Sequence, residues 1–262
     1  MHLVRNEGEG VRCTTMDGNS KQDWFEDWFN SPYYHVLYKN RNEEEAELFL
    51  TALIRKIPIV SGSKILDLAC GRGRHSHYLS KLGYNVLGID LSENNIAYAK
   101  QFENEQLLFK LCDMRDQLPE THGDYVLNLF TSFGYFTDPQ DDIKVLENVH
   151  RVLNNTGKFI IDYLNVSKAI SSLGESENKL IGEINFDISR SISNNFIIKN
   201  IRVDYKGNIS NFKEMVKTLD LHDFENYFAE VGFTIDQLYG DYSLNPYDKS
   251  TSDRLLMVVS KM

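Results

Sequence analysis

The sequence predicts an α/β protein built on a doubly wound, mostly parallel sheet, with an antiparallel β insertion after the fifth strand. Between residues 64 and 164, short runs rich in Ile, Leu and Val alternate with stretches of helical spacing, a rhythm typical of right-handed crossovers. Residues 184–219 instead hold three strand-like runs separated by hairpin-type turns. The 262 residues suffice for one large core plus an inserted unit.

The composition is that of an acidic globular protein. Lys and Arg total 28 against 38 Asp and Glu, so the net charge is −10, and 42% of the residues are hydrophobic. Excess negative charge disfavours binding to phosphate backbones, so we expect no nucleic acid partner. No apolar run approaches the ~20 residues of a membrane-spanning helix, so we expect no membrane partner. Cys13, Cys70 and Cys112 are odd in number and widely spaced, which predicts no disulfide framework and favours a cytoplasmic location.

The chain divides into three predicted parts. Residues 1–21 lack an apolar central run and are typical of a flexible leader. Residues 22–60 contain both tryptophans in an aromatic segment, followed by a helix that begins after the capping residue Asn42 and ends at Pro58. We expect this region to form a lid. Residues 61–262 form the main domain, with the β insertion at residues 178–219.

The elements of the main domain follow from apolar runs and from helix start and stop residues. The predicted strands of the parallel part are Lys64–Ala69, Asn85–Ile89, Leu107–Leu111, Asp124–Phe130 and Lys158–Tyr163. The predicted helices between them run from Arg74 to Leu82, from the capping residue Ser92 toward Phe102, and from Asp138-Pro139 to Thr156-Gly157.

The remaining elements continue the chain after the fifth strand. The insertion is predicted to contain three antiparallel strands, Ile184–Ser191, Phe196–Tyr205 and Ile209–Leu219. A helix over Asp220–Val231, stopped at Gly232, and two closing strands, Phe233–Tyr239 and Arg254–Ser260, complete the domain.

A glycine loop and three acids mark the ends of the first three strands. Gly71 and Gly73 follow the first strand and allow close backbone approach to a ligand. Asp90 ends the second strand, where a carboxylate accepts hydrogen bonds from ribose hydroxyls. Asp113 ends the third strand, where it is placed to accept from an adenine amino group. Because ligands of open α/β sheets bind at this edge, the pattern predicts an adenosine site.

Asp67 distinguishes between adenosine cofactors. It lies in the strand just before the glycines, where an acid would repel the pyrophosphate of a dinucleotide. The ammonium and sulfonium groups of S-adenosylmethionine would instead be attracted to it. The acid therefore favours S-adenosylmethionine as the cofactor.

The motifs together resemble those of the class I S-adenosylmethionine-dependent methyltransferases. The resemblance covers Lys64 to Leu164, through the runs 65–73, 88–90, 112–114 and 128–135. It implies a seven-stranded Rossmann-like sheet whose last strand is antiparallel. The insertion and the chain end from Tyr239 to Arg254 are similar to those of bacterial small-molecule enzymes of the glycine N-methyltransferase-like group. The Pro-Pro-aromatic motif of nucleic-acid N-methylating enzymes is absent after Asn128.

The resemblance also implies a set of cofactor-binding residues. Gly71 and Gly73 would contact the methionyl part, Asp90 the ribose, and Leu129 the flank of the cofactor. The full predicted set is Asp67, Ala69, Cys70, Gly71, Gly73, Asp90, Leu91, Cys112, Asp113, Met114 and Leu129.

The acceptor is expected to be a small molecule held between the lid and the end of the fourth strand. The predicted acceptor-binding residues are Tyr33, Tyr34, Ser132, Tyr135 and Arg254, and the candidates for a catalytic group are Tyr34, His35 and Tyr135. Methyl transfer needs alignment more than it needs a base, and we expect no metal site. Packing of the lid aromatics on the sheet is an equally simple explanation for Tyr33 and Tyr34. Arg41 could pair with the cofactor carboxylate or with Glu44 or Glu45.

Three alternative functions remain open at this point. Within the class, a tRNA or protein methyltransferase is disfavoured by the net charge alone. An NAD- or nucleotide-sugar-dependent enzyme would use the same sheet edge, and a non-catalytic module would keep the cofactor site without an acceptor pocket. The sequence leaves N-, O- and C-methylation open, and it fits a monomer as well as a homodimer.

Overall fold

The computed structural model describes residues 23–171, 173–174 and 176–262, so the predicted leader at residues 1–21 lies outside the described residues. The helices and strands of the described part, in chain order, are α1 Trp24–Phe29, α2 Pro32–Leu37, α3 Glu43–Lys56, β1 Lys64–Leu68, α4 Arg74–Lys81, β2 Asn85–Asp90, α5 Glu93–Ala99, β3 Leu107–Leu111, β4 Gly123–Asn128, α6 Pro139–Val152, β5 Leu153–Leu164, α7 Val166–Ser171, β6 Glu177–Ile181, β7 Ile184–Ser193, β8 Phe196–Tyr205, β9 Asn208–Lys217, α8 Leu221–Val231, β10 Phe233–Tyr239 and β11 Arg254–Lys261.

The main sheet has seven strands in the order β10-β11-β5-β4-β1-β2-β3. Strand β1 pairs in parallel with both β2 and β4, and β11 lies antiparallel between β5 and β10. The predicted doubly wound, seven-stranded sheet with an antiparallel last strand is confirmed. The strand order reverses at β1, so the carboxyl ends of β1 and β4 flank the crevice where such sheets bind ligands.

Both faces of the main sheet are covered, as the apolar runs predict. Leu66 and Leu68 of β1 pack with Phe224 and Phe228 of α8 on one face. Ile65 contributes to a second cluster on the other face, with residues of α3 and α4. Because neighbouring residues of a strand point to opposite faces, a central strand that is apolar at nearly every position is buried on both sides.

Four predicted helix starts are confirmed, and each has a side-chain cap. The Asn42 side chain accepts a hydrogen bond from the Glu45 N–H at 3.0 Å, and Ser92 caps α5 in the same way. Asp138 caps α6, and Asp220 caps α8. A side-chain oxygen at each of these positions satisfies an N–H group that the helix leaves unpaired.

The insertion forms a separate antiparallel sheet in the order β6-β7-β8-β9. The sequence predicted three strands here and missed β6, Glu177–Ile181. This strand lies at the sheet edge and three of its five residues are Glu, Asn and Lys, so it lacks the apolar alternation that identifies a strand. The apolar face of this sheet, with Phe186 and Val203, packs against Trp28 of α1.

Two predicted boundaries in the main domain were wrong. The helix expected to end at Thr156-Gly157 ends at Val152, and β5 begins at Leu153, whose ψ of 138° is already extended. The fourth strand, expected to reach Phe130, ends at Asn128. It ends early because Phe130 and Thr131 adopt left-handed backbone conformations, with φ of 59° and 57°.

Candidate cofactor and acceptor site

A cavity of about 510 Å³ lies at the carboxyl ends of β1, β2, β3 and β4, beneath α1 and α2. Most of the predicted site residues line it. These residues are Tyr34, His35, Asp67, Ala69, Cys70, Gly71, Gly73, Asp90, Leu91, Asp113, Met114, Leu129, Ser132 and Tyr135. Three predicted residues, Tyr33, Cys112 and Arg254, are not among its lining residues.

The glycine loop after β1 needs glycine at its last position. Gly73 caps α4 with a left-handed φ of 80°. A Cβ atom there would lie 2.5 Å from the ring of Phe109, closer than any real contact. Gly71 also has a positive φ, but a Cβ atom there would meet nothing within 4 Å. The space above Gly71 is therefore open to a ligand.

Asp90 ties the end of β2 to the glycine loop. Its carboxylate accepts the N–H of Gly71 at 2.9 Å and the N–H of Ser92 at 2.8 Å. Burial raises the pKa of Asp90, although these hydrogen bonds oppose the shift. The side chain of Asn95 also binds this carboxylate, and because a carboxylate has about four acceptor positions, one remains for a ligand.

Asp67 is a buried acid beneath the same loop. The hydroxyl of Ser76 donates to its Oδ2 atom at 2.5 Å. Burial raises the pKa of Asp67 to about 7, and the bond from Ser76 only partly offsets this effect. Near neutral pH the carboxyl is thus poised between its two forms, and a nearby cation would favour the charged one.

Asp113 is engaged in an ion-pair network, which the sequence did not reveal. Arg115 donates to it from the backbone N–H at 2.9 Å and from the guanidinium at 2.6 Å. The same guanidinium binds Asp23, just before α1, at 2.7 Å, and lies 4.7 Å from the ring centre of Phe136. The network joins the end of β3 to the start of the lid.

The two short helices of the lid connect the main sheet to the small one. The indole N–H of Trp24 donates to the carbonyl of Tyr135 at 3.1 Å. The indole N–H of Trp28 donates to Glu214 of β9 at 2.6 Å. Trp28 is fully buried and serves packing. Tyr33 likewise packs toward Phe212, with ring centres 6.1 Å apart.

Tyr38 lines the cavity and was not predicted. Its hydroxyl donates to Glu214 at 2.6 Å and accepts a hydrogen bond from Lys199 at 2.5 Å. Tyr34, one helical turn earlier, is partly buried, and burial raises its pKa to about 12. The spacing of four residues between the two tyrosines, which places them on one helix face, was the available signal.

A second group that was missed surrounds the ring of Phe130. The imidazole of His75 stacks on this ring at 5.0 Å with an interplanar angle of 24°. The guanidinium carbons of Arg74 and Arg41 lie 4.3 and 5.3 Å from the ring centre. We call Arg41, Arg74, His75 and Phe130 the Phe130 cluster; all four line the cavity. Glu45 pairs with Arg74 at 3.0 Å rather than with Arg41.

His75 is buried, and its imidazole is less basic than usual. Burial, followed by the charges of Arg74 and Arg41, places its pKa well below the usual value, so the ring is neutral near pH 7. Its Nε2 atom has no hydrogen-bond partner in the described part of the chain. An unpaired buried nitrogen costs free energy, which a ligand in the cavity could offset.

Arg254 was expected to contact the acceptor, but it lies behind the cavity wall. Its Nε donates to Asp162 at 2.7 Å and its Nη2 to Thr131 at 2.7 Å. Burial would lower the pKa of Arg254, but Asp162 outweighs it and the pKa is raised. The guanidinium is therefore engaged by Asp162 and Thr131 within the protein.

Three further expectations concern absent or modified groups. No cluster of three or more metal-ligating side chains occurs in residues 23–262 apart from positions 172 and 175. No helix in that same part of the chain is long and apolar enough to cross a membrane. Cys70 is a buried free thiol, as expected, whereas Cys112 is disulfide-bonded, which the cysteine spacing did not predict.

Comparison with known proteins agrees with this fold. A family described as a methyltransferase domain matches residues 59–199. The chain is 29% identical over 130 residues to the probable S-adenosyl-L-methionine-dependent methyltransferase TehB of Haemophilus influenzae, covering 48% of this chain and 40% of that relative. It is 28% identical over 167 residues to a glycine/sarcosine N-methyltransferase of Parasynechococcus marenigrum, covering 62% of this chain and 57% of the relative.

A solved structure supports the same fold. The S-adenosylmethionine-dependent methyltransferase of Clostridium acetobutylicum superimposes with a TM-score of 0.73 at 19% identity, over 87% of this chain and 96% of that one. The matched family region covers more than half of the chain. The resemblance seen in the sequence is thereby confirmed, and the chain belongs to the methyltransferase domain family, with S-adenosylmethionine as its cofactor.

Proposed function

We propose that the protein transfers a methyl group from S-adenosylmethionine to a small-molecule acceptor. The observation that carries this proposal is the convergence of Asp67, Asp90 and Asp113, from three strands, on one cavity that also contains the glycine loop. Carboxylates at these strand ends suit a cofactor with an ammonium and a sulfonium group. When bound, that cofactor supplies the activated methyl group.

The lid at the cavity favours a small acceptor. The lid covers the cavity and is fixed to the small sheet through Trp28 and Glu214, so a folded macromolecule would have to displace it. The relative from Parasynechococcus acts, by its name, on glycine and sarcosine. The acidic net charge also argues against tRNA.

The cofactor contacts are part of the proposal. Asp90 would accept from the ribose, and Gly71 and Gly73 would adjoin the amino-acid end of the cofactor. Arg74 and His75 directly follow Gly73, which supports a contact between the Phe130 cluster and that same end of the cofactor. Its two guanidinium groups suit the carboxylate found there.

Among the three candidates for a catalytic group, His35 is best suited to accept a proton. Burial and the charge of Arg72 lower its pKa, so its imidazole is neutral near pH 7. Burial raises the pKa of both Tyr34 and Tyr135, which keeps them protonated. The hydroxyl of Tyr135 also donates to the carbonyl of Thr131. We therefore assign Tyr34 and Ser132 to acceptor positioning, and His35 to proton removal where the acceptor requires it.

The test is a transfer assay with S-adenosylmethionine labelled in its methyl group. Metabolite extracts, bulk tRNA and a protein extract are offered separately, and products are identified by mass spectrometry. Label in a small molecule supports the proposal. Label only in tRNA or protein contradicts it, and cofactor binding without transfer to any of the three would indicate a binding module.

Location and assembly belong to the same proposal. We infer a cytoplasmic protein that is a monomer or a homodimer. The free thiol of Cys70 fits a reducing compartment, whereas the disulfide of Cys112 does not. Thiol labelling in intact cells distinguishes the two: labelling of Cys112 supports the cytoplasm, and its resistance until reduction contradicts it. Light scattering gives the assembly state, and a mass above that of a dimer would contradict the inference.

A further inference from the structure

The backbone at the end of β4 is strained at two successive residues. Phe130 and Thr131 both have left-handed φ angles, 59° and 57°. Residues other than glycine rarely adopt this conformation, because the Cβ atom then lies too close to the following carbonyl oxygen, and a β-branched residue such as Thr131 is a particular outlier. Conformations of this kind persist only where surrounding contacts enforce them, and they cluster at functional sites.

Asp162 of β5 provides those contacts. Its Oδ2 atom accepts the N–H of Phe130 at 2.8 Å, and its backbone carbonyl accepts the N–H of Thr131 at 3.0 Å. Its Oδ1 atom binds Arg254, which in turn donates to the hydroxyl of Thr131. Asp162 is fully buried. The side chain of Asp162 therefore satisfies the N–H of Phe130, its backbone carbonyl satisfies the N–H of Thr131, and its ion-pair partner Arg254 binds the hydroxyl of Thr131.

Tyr242 links the same carboxylate to the ring of Phe130. Its hydroxyl donates to the Oδ2 atom of Asp162 at 3.1 Å. Its ring packs on Phe130 with centres 4.9 Å apart. Asp162 thus holds both the backbone of Phe130 and an aromatic ring that packs against its side chain.

The ring of Phe130 packs against three side chains that line the cavity. Its ring contacts His75, Arg74 and Arg41, and Phe130 is the element that these three share. Arg41 has no carboxylate partner within the described residues; the contacts recorded for its guanidinium are with Phe130 and with the ring of Tyr38 at 5.1 Å. If the ring of Phe130 moved, the orientation of this guanidinium would be lost.

We propose that Asp162 is a positioning residue that, with Arg254 and Tyr242, fixes the left-handed turn at Phe130–Thr131 and so orients the Phe130 cluster toward the amino-acid end of the cofactor. This inference rests on the proposed function, since it assumes the cofactor in the cavity. It gives the strand pairing of β11 with β5 a role in ligand binding. It also gives Arg254 a role in holding this turn.

The experiment compares two ligands that differ only in the part the cluster would meet. S-adenosylhomocysteine has an amino-acid end, whereas 5′-methylthioadenosine lacks it. Binding of both is measured by calorimetry on the intact protein, on Asp162→Asn and on Tyr242→Phe. Asp236→Asn is the matched control. Asp236 of β10 likewise joins β5 to β11, through Lys158 at 2.7 Å and Ser260 at 2.9 Å, but at the other end of these two strands.

We expect Asp162→Asn to weaken S-adenosylhomocysteine binding at least about tenfold and to change 5′-methylthioadenosine binding by less than about twofold. Asp236→Asn should change neither. An unchanged affinity for S-adenosylhomocysteine, or an equal loss for both ligands, would overturn the inference in favour of a purely structural role. If Asp162→Asn does not fold, Tyr242→Phe decides by the same criterion, with an expected loss of about threefold. Failure of the unaltered protein to bind either ligand would refute the proposed function itself.

Discussion

The carboxylate of Asp90 accepts the backbone N–H of Gly71 at 2.9 Å, across the gap between the ends of β2 and β1. The acid predicted to bind the ribose is therefore also the residue that holds the glycine loop in place. Loop and acid are preorganised together, so a change at Asp90 affects both halves of the predicted cofactor contact.

Replacing Asp90 by Asn should weaken S-adenosylhomocysteine binding by at least about 1.4 kcal/mol, or tenfold. An amide can accept only one of the two N–H groups that Asp90 now accepts, and its NH₂ group would face the other. Asp124→Asn is the matched control, because Asp124 accepts the N–H of Lys64 at 2.9 Å at the far end of β1. Equal affinities for the two variants, measured by calorimetry, would contradict this role.

Binding should release a proton near neutral pH. Burial raises the pKa of Asp67 to about 7, and the ammonium of the ligand would lower it again. Affinity should therefore rise from about pH 6 to about pH 8, with up to one proton released at the lower end. Calorimetry in two buffers of different ionisation enthalpy counts the protons. The release should vanish in Asp67→Asn, and an identical heat in both buffers for the unaltered protein would speak against the prediction.

The raised pKa of Asp67 also affects stability without a ligand. In the folded protein the pKa of about 7 lies above the ordinary value of 3.8. The contribution of Asp67 to the free energy of unfolding is therefore fully present below about pH 4. It is lost as the pH rises through 7, at a rate of about 1.4 kcal/mol per pH unit at most. Asp67→Asn should remove this dependence in urea unfolding. A steeper fall for the variant than for the unaltered protein would contradict the assignment.

At the glycine loop, the cost of a steric clash can be measured separately from the cost of backbone strain. Gly62 and Gly73 share a φ of 80°, but a Cβ atom meets nothing near Gly62 and lies 2.5 Å from Phe109 at Gly73. Gly62→Ala should cost about 1–2 kcal/mol from strain alone, and Gly73→Ala about 2–4 kcal/mol. Phe109→Leu should recover part of the second cost. If the two alanine variants lose the same free energy of unfolding in urea, the clash with Phe109 is relieved without cost.

Glu214 should control how firmly the lid is held. It accepts from Trp28 and Tyr38 and pairs with Lys199 at 3.3 Å. Glu214→Gln replaces the carboxylate beside the ammonium group of Lys199 by a neutral amide and so removes the ion pair. It should increase backbone hydrogen exchange in residues 24–37 by about an order of magnitude. Glu177→Gln, which breaks a more exposed pair with Arg190 in the same sheet, should leave that exchange unchanged. Protection of the lid that survives in Glu214→Gln would contradict this role.

The acids of the site could be predicted because each one follows an apolar run. Asp67, Asp90 and Asp113 needed no knowledge of side-chain packing, since the carboxyl ends of parallel strands meet at one edge. The same reasoning placed Ser132 and Tyr135 at the cavity. The ends of strands were harder to predict where they depend on a left-handed turn, as at Phe130.

The remaining site residues depend on contacts between distant parts of the chain. Tyr38 faces the cavity because Glu214, 176 residues away, binds its hydroxyl. Arg254 turns away from the cavity because Asp162, 92 residues earlier, lies beside it through the antiparallel register of β11 on β5. No local pattern in the sequence contains either relationship, and so Tyr38 was missed and the pairing of Arg254 with Asp162 was not predicted.

The central claim is that the cavity at the ends of β1 to β4 takes S-adenosylmethionine, and calorimetric titration with S-adenosylhomocysteine and with NAD tests it most directly. The account predicts micromolar binding of S-adenosylhomocysteine, or about −8 kcal/mol, and no measurable binding of NAD. Absence of heat at millimolar S-adenosylhomocysteine, or tighter binding of NAD, would contradict it.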